Sequence, residues 1–287
     1  MSDAPRRRAA VLGHPVAHSL SPVLHRAAYA ELGLDGWSYD AVDVTEEALP
    51  GFVRALDGTW AGLSLTMPLK QAVIPLLDHL EPLAQVVGAV NTVLLHGSGP
   101  SRMLTGANTD VYGLVTALRE GLGPDVRVTT AAVLGAGATA ASTLAALAEL
   151  GCATPVVYVR AVARAGGLMR AAHRMGVEPV FRSLDDAPAQ VGRADVVVST
   201  LPPRAADPVA EALAGRPAGG VLLDAAYDPR PTALSVAWSA AGGIAVPGER
   251  MLLHQAVEQV RLMTGHPGPV EAMSHALAER LDAAPPA

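Results

Sequence analysis

The sequence is short of three features that would each define a class of protein: cysteine, aromatic residues and long apolar runs. Cys152 is the only cysteine, so an internal disulfide is impossible and a reducing compartment fits the composition. Ten aromatic residues in 287 leave most of the packing to Ala, Val and Leu, although half of all residues are apolar. No apolar run reaches the roughly eighteen residues that a membrane helix needs. These absences predict a soluble, cytoplasmic protein with no membrane partner.

Positive charge is also scarce. The formal net charge is −6, which offers no basic surface for nucleic acid, and the charges are dispersed along the chain. Lys70 is the only lysine, whereas arginine occurs twenty times. This bias indicates coding pressure against lysine, but composition alone does not decide whether Lys70 persists by chance or for a chemical reason. No spacing of His, Cys, Asp and Glu indicates a metal site, so no metal is expected.

Short apolar runs alternate with Ala- and Leu-rich helical segments. This alternation is typical of βαβ units and predicts an α/β fold with parallel sheets. A helix is predicted after Ser21, which can act as its N-cap with Pro22 at the first helical position. Another helix is predicted from near Met67 through residue 80, with a possible break at Pro75. The strands predicted in the first half cover residues 9–13, 37–44, 62–65 and 91–97.

The second half is richer in strands. From residue 131 it reads as a buried strand, a tight glycine turn and a long helix. Two predicted helices, 251–265 and 270–281, end the chain and can return to the first half. The length exceeds the usual size of one domain and favours two α/β halves joined near residues 100–110. The other strands predicted in the second half cover residues 155–160, 179–184, 194–203 and 219–229.

The turn that opens the second half has the pattern of a dinucleotide-binding site. GAGATA (135–140) follows an apolar strand and opens a helix, which is the setting that the G-x-G-x-x-A pattern requires. Gly135 permits the tight turn, and Gly137 lets the backbone approach a pyrophosphate at the N–H groups of the helix N-terminus. The pattern alone is weak, because turns rich in Gly and Ala are common in an Ala-rich chain.

The strand that follows bears on the choice of nucleotide. An NAD site usually has Asp or Glu about twenty residues further on. This strand instead ends in Arg160, with Arg164 one helical turn beyond and no carboxylate nearby. Two guanidinium groups suit a 2′-phosphate, so the pattern favours NADP over NAD. The alternative is a pair of solvated arginines in an Arg-rich protein.

Polar residues of the first half are candidates for two roles, binding an anion and donating a proton. Ser19 and Ser21 stand where a strand turns into a helix, so hydroxyl and N–H groups can converge on an anion; simple N-capping by Ser21 is the alternative. Thr66 can cap the helix that holds Lys70. Near the start of a helix the macrodipole disfavours a positive charge, so Lys70 would give up a proton more readily. Arginine could not replace it in acid–base chemistry. From residue chemistry alone, a lysine snorkelling at a domain edge is an equally good explanation.

Six segments of the chain stand out as motifs: GHPVAHSLSPVLH (13–25), GLSLTMPLK (62–70), GAVNTV (88–93), GANTDVYG (106–113), DAAYDP (224–229) and GERMLLHQ (248–255). Taken in this order, they resemble the signature motifs of the shikimate dehydrogenase family. Asp110, which spacing alone explains as part of a helix start, lies in the fourth segment. The chain departs from the family pattern at Arg26 and Ser64, where the family has Asn, and the family's Asn-Arg-Thr survives only as Val159-Arg160-Ala161.

The resemblance implies an enzyme of aromatic amino acid biosynthesis that reduces 3-dehydroshikimate reversibly to shikimate with NADPH. It implies a substrate-binding domain, residues 1–105 with 249–287, and a Rossmann-type NADP-binding domain, residues 106–248. By motif position, Lys70 and Asp110 would form the catalytic pair. The implied substrate ligands are Ser19, Ser21 and Tyr227 for the carboxylate, and Thr66, Asn91, Asp110 and Gln255 for ring hydroxyl groups. The implied NADP ligands are Gly135, Ala136, Gly137, Ala138, Arg160, Arg164, Thr200 and Gly248.

Three other functions fit parts of the sequence. A relative acting on quinate or on an amino-substituted shikimate analogue would share the fold, and the departures at Arg26 and Ser64 keep that possibility open. An NADP-dependent methylene-tetrahydrofolate dehydrogenase has a similar two-domain plan but lacks the paired-serine signature. A catalytically silent NADP-binding sensor would bind nucleotide without turnover, which the retention of Lys70 and Asp110 argues against. The expected assembly is a monomer or a homodimer.

Overall fold

The chain folds into two compact units. The computed structural model describes residues 7–97 and 99–283. Unit 1 comprises the described residues up to Thr109 together with those from Gln255 onward, and unit 2 comprises Asp110–His254. Both units are α/β, which confirms the predicted fold class. The boundaries between them lie a few residues beyond the predicted 105/106 and 248/249.

Strands and helices alternate along the described residues. The strands are β1 (Arg7–Gly13), β2 (Trp37–Asp43), β3 (Trp60–Leu65), β4 (His79–Leu80), β5 (Thr92–His96), β6 (Met103–Ala107), β7 (Ala131–Leu134), β8 (Val156–Val159), β9 (Val180–Ser183), β10 (Val196–Ser199), β11 (Val221–Asp224) and β12 (Ile244–Pro247). The helices are α1 (Ser21–Glu31), α2 (Leu49–Arg54), α3 (Leu69–Ala72), α4 (Pro82–Val87), α5 (Asp110–Leu122), α6 (Ala138–Leu150), α7 (Gly166–Met175), α8 (Ala187–Gln190), α9 (Asp207–Ala212), α10 (Ala233–Ala240), α11 (Gly248–Thr264) and α12 (Val270–Asp282).

The sheet of unit 1 is mixed. Its strand order is β2-β1-β3-β5-β6-β4, in which β1 pairs in parallel with β2 and β3. Strand β5 pairs antiparallel with both β3 and β6. The connection from His96 to Met103 is too short for the crossover that parallel neighbours need, so β5 and β6 run in opposite directions. The prediction of a parallel sheet was therefore wrong for this half of the chain.

Helix α1 begins differently from the prediction. Ser21 is the first residue of the helix and not its N-cap, which is Leu20, and no side chain caps the helix. The Ser21 backbone N–H instead donates to the Ser19 hydroxyl oxygen at 3.3 Å. The predicted N-capping role of Ser21 is therefore wrong, because its preceding neighbour already has helical backbone angles.

The helix predicted to start near Met67 is only one turn long. It is α3, with Pro68 as its N-cap, and it is followed by a 3-10 turn at Ile74–Leu76 and then by β4. The Thr66 side chain does not cap it; the Thr66 carbonyl accepts from the Leu69 N–H at 2.8 Å. So short a helix aligns few peptide dipoles, and the predicted macrodipole effect on Lys70 loses its basis.

Unit 2 is a doubly wound parallel sheet. Its order is β12-β11-β10-β7-β8-β9, and all neighbouring strands pair in parallel. Counted within the unit this is 6-5-4-1-2-3, the strand order of a Rossmann fold, with its reversal point between β7 and β10. Strand β12 had not been predicted. Ligands of such sheets bind at the carboxyl ends of the strands, at the reversal point.

Aliphatic side chains fill most of both cores, as the scarcity of aromatic residues requires. In unit 1, Leu12, Leu49 and Leu63 are fully buried in one hydrophobic cluster. In unit 2, Leu222 packs in the same cluster as Trp238, whose indole N–H donates to the Gly220 carbonyl at 3.0 Å. None of the described helices combines the length and apolarity that crossing a membrane demands.

Candidate active site

In unit 1 the loops that follow β1 and β3 lie side by side. The His14 N–H donates to the Met67 carbonyl at 3.0 Å, and the Thr66 N–H donates to the Leu12 carbonyl at 2.9 Å. Gly13 lies so close that a Cβ there would overlap the Thr66 side chain. Glycine is therefore required at this point by the contact between the two loops. The same contact places the partly exposed Thr66 beside the β1 loop.

The two predicted anion-binding serines follow the β1 loop. Asp43 fastens that loop, because its carboxylate accepts from His14 Nδ1 at 2.7 Å and from the Val16 N–H at 3.3 Å. Ser19 is partly exposed and Ser21 is 5% exposed. The contact between the Ser19 hydroxyl and the Ser21 N–H brings the two residues together at the start of α1.

Lys70 is half-buried in the single turn of α3. Its backbone carbonyl accepts from the Val90 N–H at 2.8 Å, which ties α3 to the segment that leads into β5. Asn91 is the next residue of that segment, and its carbonyl accepts from the Leu65 N–H at 2.8 Å. Backbone hydrogen bonds thus place Lys70, the predicted proton donor, in a segment that lies beside the one with Asn91, a predicted substrate ligand.

The orientation of the buried Asn91 amide is fixed by its partners. Asn91 Oδ1 accepts from the Thr109 backbone N–H at 2.8 Å and from the Thr92 hydroxyl at 3.0 Å. Because a backbone N–H can only donate, the oxygen must face Thr109 and the amide nitrogen must face the other way. Asn91 Nδ2 donates to Thr109 Oγ1 at 2.9 Å and to Gln255 Oε1 at 3.3 Å. Two predicted ligands of ring hydroxyl groups, Asn91 and Gln255, are therefore in contact.

Four residues that the sequence analysis did not single out belong to the same hydrogen-bond network as this pair. Gln259 Nε2 donates to the Asn91 carbonyl at 3.2 Å and to the Thr92 hydroxyl at 3.0 Å. Gln259 Oε1 faces the Ser64 hydroxyl at 2.8 Å and His25 Nε2 at 3.2 Å. Ser64 in turn accepts from the hydroxyl of the missed residue Tyr39 at 2.6 Å. The helical spacing of Gln259 from Gln255 was a signal, since residues four apart share one helix face. The missed residues are Tyr39, Thr92, Thr109 and Gln259.

His25 is fully buried in this network and is neutral. Burial lowers its pKa to about 3, and the hydrogen bond with Gln259 only partly opposes that shift. The ring stacks on Tyr39 with centroids 3.9 Å apart and an interplanar angle of 13°. Since Gln259 presents its oxygen, the proton of the neutral ring must sit on His25 Nε2, and Nδ1 has no hydrogen-bond partner.

In unit 2 the glycine turn lies at the reversal point of the sheet. Gly135 has φ +112°, and a Cβ there would meet the Thr200 hydroxyl at 2.6 Å. Its N–H donates to the Tyr158 carbonyl at 2.9 Å, and the Thr200 N–H donates to the Leu134 carbonyl at 2.8 Å. A Cβ at Gly137 would meet nothing, and no side chain caps α6. The turn therefore leaves room in front of the N–H groups at Ala136 and Ala138, as a pyrophosphate requires.

The two arginines lie at the end of the neighbouring strand. Arg160 directly follows β8, and Arg164 ends the 3-10 turn Val162–Arg164. Both side chains are exposed, and no carboxylate occurs between them. Because β8 pairs with β7, these guanidinium groups stand at the same sheet edge as the glycine turn.

A cavity of about 540 Å³ in unit 2 is lined by Tyr227 and Gly248. A Cβ on Gly248 would overlap the carbonyl groups of Asp224 and Ala225, so only glycine fits there. Burial raises the pKa of Tyr227, and the charges of Asp228 and Glu249 raise it further, so its hydroxyl stays protonated as a donor. The cavity therefore offers a phenol donor beside an approachable backbone.

Asp110 is the first residue of α5 and of unit 2, and it is 2% exposed. It directly follows Thr109, whose backbone N–H holds the Asn91 amide in unit 1. Lys70 lies in unit 1, whereas Asp110 and Tyr227 lie in unit 2. Each unit thus contributes its own set of predicted residues.

Two sequence profiles of one family match the chain. The profile of the shikimate dehydrogenase substrate binding domain covers residues 11–93, and that of the shikimate 5′-dehydrogenase C-terminal domain covers residues 248–278. The shikimate dehydrogenase (NADP(+)) of Rubrobacter xylanophilus is 41% identical over 274 residues, which cover 93% of this chain and 94% of that protein.

Solved structures share the fold. Shikimate 5-dehydrogenase from Thermus thermophilus, in complex with NADP(H) and shikimate, matches with a TM-score of 0.80 and 36% identity over 95% of this chain and 99% of that chain. Quinate dehydrogenase from Corynebacterium glutamicum, in complex with NAD, matches with a TM-score of 0.82 and 28% identity over 96% of this chain and 99% of that chain. The chain therefore shares its fold with both a shikimate dehydrogenase and a quinate dehydrogenase.

The free energy of unfolding should fall below a pH of about 6.5 because of His25. Its folded pKa of about 3 lies below the unfolded value of 6.5, so between them the unfolded chain binds a proton that the folded chain excludes. The stability linked to this group is complete above pH about 6.5 and is lost towards pH about 3, with a slope approaching about 1.4 kcal/mol per pH unit. Denaturant unfolding of the unaltered protein and of His25→Gln across this range measures the difference.

His275→Gln is the matched control, because the His275 side chain is 76% exposed. Its pH dependence should follow that of the unaltered protein, whereas His25→Gln should be shallower. Equal slopes for all three proteins would mean that His25 is protonated within the fold.

Proposed function

The chain belongs to the shikimate dehydrogenase family, and we propose that it catalyses the NADP(H)-dependent, reversible reduction of 3-dehydroshikimate to shikimate. The observation that carries this proposal is the agreement over 93% of the chain with a shikimate dehydrogenase (NADP(+)). The activity is that of an oxidoreductase acting on a CH–OH group, within aromatic amino acid (chorismate) biosynthesis in the cytoplasm. The two units correspond to a substrate-binding and an NADP-binding domain.

The residues of unit 2 suit NADP(H), a dinucleotide with a 2′-phosphate. The open turn at Gly135–Ala138 would hold the pyrophosphate, and Thr200 and the backbone at Gly248 would line the rest of the cofactor site. Arg160 and Arg164 would bind the 2′-phosphate, since guanidinium groups pair with phosphate oxygens in a bidentate manner. When bound, the nicotinamide supplies the hydride for the carbonyl carbon.

The residues of unit 1 suit a polyhydroxylated carboxylate. Ser19 and Ser21 offer hydroxyl donors to the carboxylate, to which the Tyr227 phenol of unit 2 would also donate. Ring hydroxyl groups both donate and accept, and so do the amides of Asn91 and Gln255 and the hydroxyl of Thr66. The oxygen and nitrogen of the Asn91 amide cannot exchange places. The Asn91 amide can therefore bind only a hydroxyl group that is placed to match that fixed direction.

Lys70 and Asp110 form the proposed catalytic pair. Hydride addition to a ketone creates an alkoxide, and the Lys70 ammonium would stabilise that charge and donate the proton, reversing its role during oxidation. The Asp110 carboxylate would accept a hydrogen bond from a ring hydroxyl group and keep the lysine charged and oriented. Arginine holds its protons too tightly for this exchange, which is a reason for one lysine to persist.

Quinate, or an amino-substituted shikimate analogue, is the second candidate substrate. Two observations support this candidate: the likeness to a quinate dehydrogenase, and the departures from the family motifs at Ser64 and Arg26. A silent NADP-binding sensor is the candidate from another class, and it differs from both by lacking turnover.

Steady-state oxidation of shikimate and of quinate, each with NADP⁺ and with NAD⁺, tests the function through the absorbance of the reduced nucleotide. The highest kcat/KM should belong to shikimate with NADP⁺, and Arg160→Ala should lose that nucleotide preference. Faster turnover of quinate would transfer the assignment to the second candidate. Preference for NAD⁺ would remove Arg160 from 2′-phosphate binding, and binding without turnover would identify a sensor.

Lys70→Ala should lower kcat by about a hundred- to ten-thousandfold with little change in shikimate KM, because a proton donor acts mainly in the transition state. Lys70→Arg should lose as much, since it keeps the charge but not the exchangeable proton. Gln71→Ala, an exposed neighbour on α3, is the control and should keep a normal kcat. Near-normal kcat in Lys70→Arg would exclude proton transfer by this residue.

A further inference from the structure

Two of the positions that depart from the family motifs, Arg26 and Ser64, contact the same residue, Tyr39. Arg26 Nε donates to the Tyr39 carbonyl at 2.9 Å, and the Ser64 hydroxyl accepts from the Tyr39 hydroxyl at 2.6 Å. Tyr39 is fully buried and stacked on His25. None of these contacts has a part in the substrate roles proposed above, yet they converge on the network that holds Asn91.

The direction of this network follows from one backbone group. The Asn91 carbonyl can only accept, so Gln259 must turn its amide nitrogen towards it and its oxygen towards Ser64. Ser64 has one hydroxyl hydrogen and must give it to Gln259. Tyr39 must therefore donate to Ser64. The hydrogen bonds run from Tyr39 through Ser64 and Gln259 to Thr92, and from Thr92 to Asn91 Oδ1.

This direction removes Ser64 from direct recognition of an anion. A carboxylate only accepts hydrogen bonds, and the single hydroxyl hydrogen of Ser64 is already committed to Gln259. Ser64 is 4% exposed and Gln259 is 1% exposed, so neither gains a compensating bond from bulk water. The position that carries Asn in the family therefore acts here on Gln259.

We propose that Ser64 is a positioning residue for substrate binding, which holds the Gln259 side chain against Asn91 and Thr92, with Tyr39 supporting Ser64. Tyr39 also interacts with the Ser21 side chain. This inference rests on the proposed function, because it assumes that Asn91 and Gln255 bind the ring hydroxyl groups of shikimate. Loss of the Ser64 hydroxyl leaves Gln259 Oε1 with His25 alone, so the Gln259 side chain is held less tightly against the Asn91 carbonyl and the Thr92 hydroxyl. Thr92 is one of the two donors to Asn91 Oδ1, so the Asn91 amide keeps its direction through Thr109 but is held less firmly beside Gln255.

The test is a double-mutant cycle of Ser64→Ala and Tyr39→Phe in shikimate oxidation. Ser64→Ala should raise the KM for shikimate about tenfold and Tyr39→Phe about threefold, with the KM for NADP⁺ unchanged. The double variant should raise the KM by less than the product of the two single effects, because Tyr39 reaches Gln259 through Ser64. A variant that merely lost folded protein would show a lower apparent kcat at an unchanged KM.

Tyr29→Phe is the matched control. Its hydroxyl is also buried, in the same aromatic cluster as His25 and Tyr39, but it has no hydrogen-bond partner. The shikimate KM of this variant should stay normal. Normal KM in Ser64→Ala, additive effects in the double variant, or an equal rise in Tyr29→Phe would each overturn the inference while leaving the proposed function intact. Absence of shikimate turnover by the unaltered protein would overturn both.

Discussion

The structure of unit 1 depends on one buried hydrogen-bond network with a fixed direction. Two backbone groups set it, because the Thr109 N–H can only donate and the Asn91 carbonyl can only accept. The first orients the Asn91 amide and the second orients the Gln259 amide. Reversing either amide would place like polar groups face to face in a buried site. The same bonds join β3, β5 and α11, so substrate recognition as proposed and the integrity of the unit share one set of residues.

Unit 2 depends on the absence of side chains at two points where its parallel strands end. Gly135 lies against Thr200, and Gly248 lies against the carbonyl groups at the end of β11. Neither position has room for a Cβ, because protein atoms already fill that space, whereas the space beside Gly137 is open and leaves the N–H groups of the turn accessible to a ligand. The two units therefore offer complementary chemistry: bare backbone and guanidinium groups that suit a dinucleotide phosphate, and oriented hydroxyl and amide groups that suit a polyhydroxylated acid.

Local signals explain which features could be predicted from the sequence. The strand, turn and helix across residues 131–150 are adjacent in the chain, and the glycines mark the turn directly. Pro75 marked a possible break in the helix predicted from Met67, and α3 does end before it. The strand that follows was not predictable from helical periodicity, because pairing of β4 with β6 takes residues 79–80 out of any helix. The network was missed for a similar reason. Gln259 and Ser64 are 195 residues apart in the sequence, and their hydrogen bond can be recognised only in the folded chain. Departures from a family motif, as at Ser64, could be noticed but not interpreted until their partners were known.

The central claim is the direction of hydrogen bonding in the buried network, and His25 reports on it. If Gln259 presents its oxygen, the neutral ring must carry its proton on Nε2. The measurement is the pair of ¹⁵N chemical shifts of the His25 side chain at neutral pH, assigned by their loss in His25→Gln. The account predicts a neutral ring protonated at Nε2. A proton on Nδ1, or a doubly protonated ring, would reverse the Gln259 amide and contradict the account.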